Sequence, residues 1–463
     1  MPTLSSVSVI WAAISLLPIS ASTQEALASR PGDASASIYR YASDAPGSAY
    51  EWLEREQKRA YGDSRRPPDL AQLRSIVRAL PQREGWKPAD QILDAIGIDK
   101  IVLPTRYEDI GGYFLMQNLS DSVRKAMSLK TDGASPKRIL WGTLPHGEVN
   151  AASQTIGDEH LVILNHGVFA FLYASLLSIS RTISLDTIDS KVRLNFSDET
   201  FVELFTNNAQ RKITHALILQ SFTDQSRLPD FPFATASEAP IVIRQLNAIE
   251  RFIVGHEYGH VEAGDTASGS RTMNVHTESG GWRSVMSVGR DWRQELRADY
   301  RGLELGQLAQ TSEEPDSQQE RLNLFNHVAA YAPLLYLALA DGQEDLKFCL
   351  ASGEGSRPAL SPQQAERVVA MARTIRDSAA DTLQPDEDTR RVLGCRMQSH
   401  PPAWVRLALL EPVVDRTVLR GPYRPPTTVA LSRALVRNAQ SAYDQVRPAL
   451  RHAYEKAERP EQR

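Results

Sequence analysis

The residues best suited to chemistry lie between His256 and Asp299 of the 463-residue chain. This segment opens with the HExxH arrangement of His256, Glu257 and His260, and helical spacing places the two imidazoles on one face, one turn apart. Two histidines so placed can share a metal ion, with Glu257 within reach of a water molecule at the ion. A catalytic zinc ion takes three protein ligands and keeps a fourth position open. The spacing therefore predicts a zinc site that activates water.

Glu295 is the preferred third ligand, because it falls on a second predicted helix where Asp299 follows one turn later. This arrangement lets Glu295 face the metal while Asp299 accepts a hydrogen bond from a ligand imidazole. His276, in the segment between the two helices, is the alternative third ligand. A ligand on a helix is held more firmly than one in a loop, which favours Glu295.

A stripe of apolar residues predicts the helix that carries the two histidines. Before the HExxH segment, these residues recur at intervals of four, three and four positions: Val242, Leu246, Ile249 and Ile253. His256 and His260 continue the same stripe. We therefore predict that the histidines lie on the buried face of an amphipathic helix and are not two solvated surface residues.

Hydrophobic periodicity predicts further elements on either side, and the chain as a whole is predicted to be α+β and mainly helical. The predicted elements are strands 138–143 and 160–164, a helix 168–180, a loop 264–290, and helices 291–309, 324–340 and 365–379. Asp291 and Gln294 are expected to form a capping box, and Pro333 is expected to kink its helix. The uncharged stretch 161–180 is predicted to be a buried strand, turn and helix and not a membrane span.

Composition argues against a nucleic acid or an anionic membrane surface as the main partner. The formal net charge is −4 and the isoelectric point is about 6.2, and no basic run alters that balance. The only two cysteines, Cys349 and Cys395, cannot form a thiolate zinc cage. They are interpreted as two buried thiols, with a single disulfide as the alternative.

The two motifs together resemble the gluzincin pattern of the CAAX-prenyl-protease and heat-shock membrane protease family. The resemblance lies in the HExxH segment and in a second segment in which Glu295, Ala298, Asp299 and Gly302 are spaced as ExxADxxG. Asn150-Ala151, followed by Gly157, a strand and Gly167, is similar to the family's substrate-flanking edge strand. His400-Pro401 with Arg406 is similar to its C-terminal His-Pro and Arg segment.

This resemblance implies a zincin-like catalytic core, made of the HExxH helix, a small substrate-flanking sheet and a second ligand-bearing helix. It implies that Zn²⁺ binds to His256, His260 and Glu295, and that the substrate is a protein or peptide. Glu257 would act as general base. His400, Arg406 or a loop residue would donate to the oxyanion, and Asn150 and Ala151 would bind substrate. No clear transmembrane anchor is evident in the sequence.

Four regions are predicted along the chain. They are a leader 1–48, a mixed helical region 49–137, a metallopeptidase domain 138–410 with a helical insert at about 168–240, and a helical tail 411–463. Within the leader, residues 7–19 form an apolar stretch of roughly signal-peptide length, but no Lys or Arg precedes Arg30. Export to a periplasm or cell exterior is weakly favoured, with the cytoplasm as the alternative.

Two functions other than peptide hydrolysis remain open at the sequence level. One is a catalytically silent scaffold or interaction protein that keeps a structural zinc, and the other is a zinc hydrolase that acts on substrates other than peptides. The intact Glu257 argues against the scaffold, because a structural zinc site has no use for that carboxylate.

Overall fold

The computed structural model of the chain describes residues 48–61, 103–108, 110–130, 139–146, 149–180, 184–188, 191–195, 239–265, 270–276, 282–288, 292–313, 329–345, 360–378, 385–393, 401–420 and 448. Several predicted features lie outside these residues: the leader up to residue 47, most of the insert between 196 and 238, both cysteines, His400 and nearly all of the tail beyond residue 420.

The described part of the chain is mainly helical with short strands, which confirms the α+β class. Before the HExxH segment come α1 (Ala49–Tyr61), α2 (Ile110–Lys130), β1 (Ile139–Leu144), β2 (Ala151–Ile156), β3 (Glu159–Asn165), α3 (His166–Ser180), β4 (Ser184–Ile188) and β5 (Lys191–Asn195). From that segment onward come α4 (Ala239–Ala263), β6 (Ser270–His276), β7 (Trp282–Val288), α5 (Trp292–Glu313), α6 (Ala332–Asp345), α7 (Pro362–Asp377), α8 (Glu387–Leu393) and α9 (Ala403–Arg420).

Strands β1, β2 and β3 form one sheet, in the order β1-β3-β2. The central strand β3 pairs in parallel with β1 and antiparallel with β2, so β2 lies at an edge of the sheet. A tight turn joins β2 to β3, and it contains Gly157 with φ 58°, a left-handed conformation that glycine adopts without strain. The predictions of strands at 138–143 and 160–164 and of a helix at 168–180 are confirmed.

Helix α4 is the centre of the main hydrophobic core. The four residues of its apolar stripe are all buried there: Val242, Leu246, Ile249 and Ile253. Burying one such side chain fully contributes about 1.5–3 kcal/mol, so the stripe fixes which face of α4 points inwards. Helices α2, α3, α5 and α6 and the strand β2 all pack against α4. The predicted amphipathic helix is therefore confirmed.

Helices α4 and α5 approach each other through small residues. A Cβ atom on Gly255 would lie 3.1 Å from the Cα atom of Gly302, and one on Gly259 would lie 3.2 Å from the Cα atom of Ala298. Larger side chains at these positions would force the two backbones apart. This close contact holds the two predicted ligand-bearing helices together at the HExxH and ExxADxxG segments.

The prediction of a loop at 264–290 is wrong, because that segment contains a β-hairpin. The insert, which was predicted to be helical, contains helix α3 and a second β-hairpin. The segment 264–290 contains the antiparallel pair β6 and β7, and the insert contains the antiparallel pair β4 and β5. Gly, Ser and Thr suggested a loop at 264–290. However, residues 272–275 alternate polar and apolar types, which is the period of a strand.

Two further details differ from the sequence-based expectation. Residues 329 and 330 are helical, Tyr331 forms a turn, and α6 begins at Ala332 with Pro333 in its first turn, so the predicted helix is interrupted beside the proline and is not simply kinked. Helix α9 runs without a break through residue 410, where a domain boundary was predicted. Among the described residues, no helix has both the length and the apolar character needed to cross a membrane.

Candidate metal centre

Three buried side chains from α4 and α5 bring their ligand atoms together. The Nε2 atoms of His256 and His260 are 3.1 Å apart. The carboxylate of Glu295 reaches both, with Oε2 3.3 Å from the His256 nitrogen and Oε1 3.5 Å from the His260 nitrogen. Among the residues that the structure describes, these three form the group with the arrangement of a metal site.

The spacing between the ligand atoms of these three residues is similar to that around a tetrahedral ion. Zinc binds imidazole nitrogen and carboxylate oxygen at about 2.0–2.1 Å, and ligands at that distance from a tetrahedral centre are about 3.3 Å apart. The separations of 3.1, 3.3 and 3.5 Å lie close to that value, and the last two are measured to different oxygens of the Glu295 carboxylate. Two imidazole nitrogens that face each other also need a proton or a cation between them. The buried His-His-Glu group can therefore hold a metal ion.

Asp299 lies behind His256, one helical turn after Glu295. Its Oδ1 atom is 2.9 Å from Nδ1 of His256. Arg406, from α9, donates to both carboxylate oxygens, from Nε to Oδ2 at 2.8 Å and from Nη2 to Oδ1 at 2.5 Å. The result is a buried chain of contacts from Arg406 through Asp299 to His256. The sequence suggested Asp299 for this position but not its pairing with Arg406.

The charged groups of this chain shift the pKa values of both His256 and Asp299. Burial alone lowers the pKa of His256, but hydrogen bonds and charge from Asp299 and Glu295 outweigh it and raise the pKa to about 9. Burial raises the pKa of Asp299, and the Arg406 guanidinium together with His256 outweighs that effect and lowers it. Both shifts have the same origin, because acidic groups surround His256 and the Arg406 guanidinium faces Asp299.

Helix α4 also presents Glu257 beside the ligands. Its side chain is buried, and its Oε1 atom is 4.0 Å from Nε2 of His256. Because Glu257 follows His256 directly, it is turned about one quarter of the helix circumference away from the ligand face. The carboxylate is therefore close to the ligand atoms without joining them.

A further carboxylate near the ligand atoms was not predicted from the sequence. Oδ2 of Asp265, just after the end of α4, is 3.6 Å from Nδ1 of His260. Gln294, which was predicted to cap α5, donates its side-chain amide to Oδ1 of Asp265 at 3.1 Å. The available sequence signal was an aspartate directly after Gly264, a glycine placed to end the helix.

The remaining predicted residues lie at three other places. Ala151 begins the edge strand β2, and the exposed Asn150 precedes it, accepting a hydrogen bond from the amide of Ala151 through Oδ1 at 2.9 Å. His276 is the last residue of β6, whereas Glu295 completes the ligand group. His400 lies outside the described residues, just before the start of α9.

Comparison of the chain with profiles of known protein families, with curated proteins and with solved structures found no match. The candidate metal centre and the elements around it are therefore the basis of the proposed function.

Proposed function

We propose that this protein is a zinc-dependent peptidase with a zincin-like core. The observation that carries the proposal is the convergence of His256, His260 and Glu295 at separations of 3.1–3.5 Å. Two histidines and one carboxylate are a ligand set typical of catalytic zinc, whereas structural zinc sites usually have four protein ligands, most of them cysteines. Zinc bound there would lower the pKa of a water molecule towards neutrality and polarise a carbonyl group.

Glu257 is the general base in this proposal. Its carboxylate lies 4.0 Å from a ligand nitrogen, close enough to accept a proton from water at the centre. The same carboxyl group then gives that proton to the leaving amine. Burial keeps competing water away and strengthens the electrostatic interactions of the carboxylate.

Arg406 and Asp299 serve the reaction by holding His256 in place. Oδ1 of Asp299 is 2.9 Å from Nδ1 of His256, which leaves Nε2 of the imidazole to bind the ion. Two donors of Arg406 are used on Asp299, so we assign Arg406 a positioning role in place of the predicted role at the oxyanion. His400 or a loop residue then remains the predicted oxyanion donor.

The position of β2 supports the proposal of a protein or peptide substrate. This strand is at the edge of its sheet and packs against α4, the helix that carries the HExxH segment. An extended peptide can add to such an edge through main-chain hydrogen bonds. Asn150 and Ala151 lie at the beginning of that edge and are the residues we expect to contact the substrate.

The proposal is tested by metal analysis of the purified protein together with cleavage of an unfolded protein, with and without a chelator. We expect one zinc ion per chain, lost in His256→Ala and in His260→Ala, and cleavage that the chelator stops. His160→Ala, a histidine on β3 outside the ligand group, is the matched control and should keep its zinc. Zinc without hydrolysis would point to a scaffold, and hydrolysis of other substrates alone would point to a non-peptidase hydrolase.

A further inference from the structure

If His260 binds a metal ion through Nε2, its Nδ1 atom requires a hydrogen-bond acceptor. Its imidazole is fully buried, and among the residues that the structure describes, its Nδ1 atom has no hydrogen-bond partner. A histidine that binds a metal through Nε2 carries its proton on Nδ1 and almost always donates it to a carboxylate, a carbonyl or water. The carboxylate facing this nitrogen is Asp265, with Oδ2 at 3.6 Å.

The end of α4 places Asp265 in that position. The helix ends at Ala263, and Gly264 has φ 76°, a left-handed conformation that reverses the direction of the chain. The backbone amide of Gly264 donates to the carbonyl oxygen of Val261 at 3.3 Å, which closes the last turn. Asp265 is thereby folded back beside His260, only five residues after it in sequence.

Gln294 fixes the other side of the Asp265 carboxylate. Its amide nitrogen donates to Oδ1 at 3.1 Å, which leaves Oδ2 directed at His260. Gln294 immediately precedes the ligand Glu295 on α5. This hydrogen bond thus joins the end of α4 to the first turn of α5, close to the proposed ligands His260 and Glu295.

We propose that Asp265 and Gln294 form a positioning pair for His260, an inference that rests on the proposed function. When Nε2 of His260 binds zinc, Asp265 accepts the Nδ1 proton and Gln294 holds the carboxylate in place. The pair mirrors Asp299 and Arg406 at His256. The separation of 3.6 Å exceeds a direct hydrogen bond, so forming one requires a movement of about half an ångström.

The inference is tested through zinc affinity, measured by competition with a chromophoric chelator. We expect Asp265→Ala to weaken zinc binding on the order of tenfold and Gln294→Leu to weaken it less. The matched control is Glu262→Ala. Glu262 also ties the end of α4 to α5, through Arg301 at 2.5 and 2.7 Å, and it does so at the exposed surface.

A second measurement distinguishes two possible roles of Asp265. One is to orient the His260 imidazole, and the other is to hold α4 and α5 together. In the zinc-loaded protein labelled at histidine, we expect the Nδ1 proton of His260 to be protected from exchange and to lose that protection in Asp265→Ala. The corresponding proton of His256 should be unchanged. Both measurements are independent of peptidase activity.

Two results would overturn the inference and leave the proposed function intact. One is that the wild type binds zinc and Asp265→Ala binds it with the same affinity. The other is an equal loss of affinity in Glu262→Ala, which would mean that tethering of the helices is the cause. A wild-type protein that binds no zinc would overturn both proposals.

Discussion

A Cβ atom on Gly302 would lie 2.8 Å from the backbone nitrogen of His256, so α5 contacts α4 at a proposed metal ligand. The atoms it would meet belong to the backbone and cannot move aside as a flexible side chain would. Gly302→Ala must therefore push α5 away from α4, and overpacking of this kind costs about 1–3 kcal/mol. We expect a lower free energy of unfolding by chemical denaturation and weaker zinc binding.

Gly306→Ala is the control for that prediction. Gly306 lies one turn further along α5, and a Cβ atom there would be 3.5 Å from the backbone nitrogen of Phe252, an ordinary contact. Alanine favours a helix over glycine by up to about 1 kcal/mol, so this variant should be as stable as the wild type or more stable. Equal behaviour of the two variants would show that the close contact at Gly302 does not control the site.

Glu257→Gln should abolish turnover while zinc content and fold are retained. The amide keeps the shape of the side chain but cannot accept a proton from water. Loss of a general base lowers the rate by about a hundredfold to ten thousandfold or more. The measurement is kcat on an unfolded protein substrate, beside zinc analysis and circular dichroism. Turnover close to that of the wild type would exclude Glu257 as the base.

Glu295→Ala should lose zinc and activity together, because it removes one of the three converging ligands. His276→Ala should leave the metal content unchanged. Glu304→Ala, which removes a half-buried carboxylate from the same helix, is the control for effects on α5. Elemental analysis of the three variants decides the third ligand. Loss of zinc in the His276 variant with retention in the Glu295 variant would refute the gluzincin assignment.

Arg406→Lys tests whether this residue positions Asp299 or acts on the substrate. Lysine keeps the charge but cannot reproduce the two parallel hydrogen bonds to the carboxylate. We expect zinc affinity to fall by about tenfold, and Asp299→Asn to lower it by roughly ten- to a hundredfold. Because both act through one contact, the double variant should bind zinc no more weakly than Asp299→Asn alone. A lower kcat with unchanged zinc affinity would instead support a direct role of Arg406 at the oxyanion.

Glu250, which lies on α4 before the HExxH segment, makes the free energy of unfolding depend on pH. Its carboxyl group is fully buried on α4, and neither oxygen has a hydrogen-bond partner among the described residues. Burial raises its pKa from 4.5 to about 8, against a smaller opposing effect of Arg251. The folded protein therefore prefers the protonated form. The free energy of unfolding is therefore highest below the pKa that Glu250 has in the unfolded chain. It falls as the pH rises towards 8.

Glu250→Gln removes that dependence, because the amide does not ionise. We expect the free energy of unfolding of the variant, relative to the wild type, to rise by at most about 1.4 kcal/mol per pH unit between pH 5 and 8. Above pH 8 the difference should stay constant. Denaturation in a chelating buffer across this range measures it, and a difference that does not change with pH would contradict the prediction.

Local periodicity determined much of what could be predicted from the sequence. The apolar stripe that ends in His256 and His260 repeats with the helical period. The helix α4 and its buried face could therefore be predicted from neighbouring residues alone. The strands β1 and β3 and the helix α3 were likewise evident from continuous apolar runs. The hairpins β4–β5 and β6–β7 were missed because a two-stranded ribbon depends on its pairing partner as much as on its own residues.

Only the tertiary structure decided which distant groups meet the two histidines. Glu295 reaches them because Gly255 and Gly302 let α5 lie against α4, and no local pattern reports that distance. Arg406 reaches Asp299 from a helix 107 residues further along the chain. Asp265 faces His260 because the chain reverses at Gly264. Helical spacing ensures contact only within one element, whereas these contacts join separate elements whose approach is set by packing.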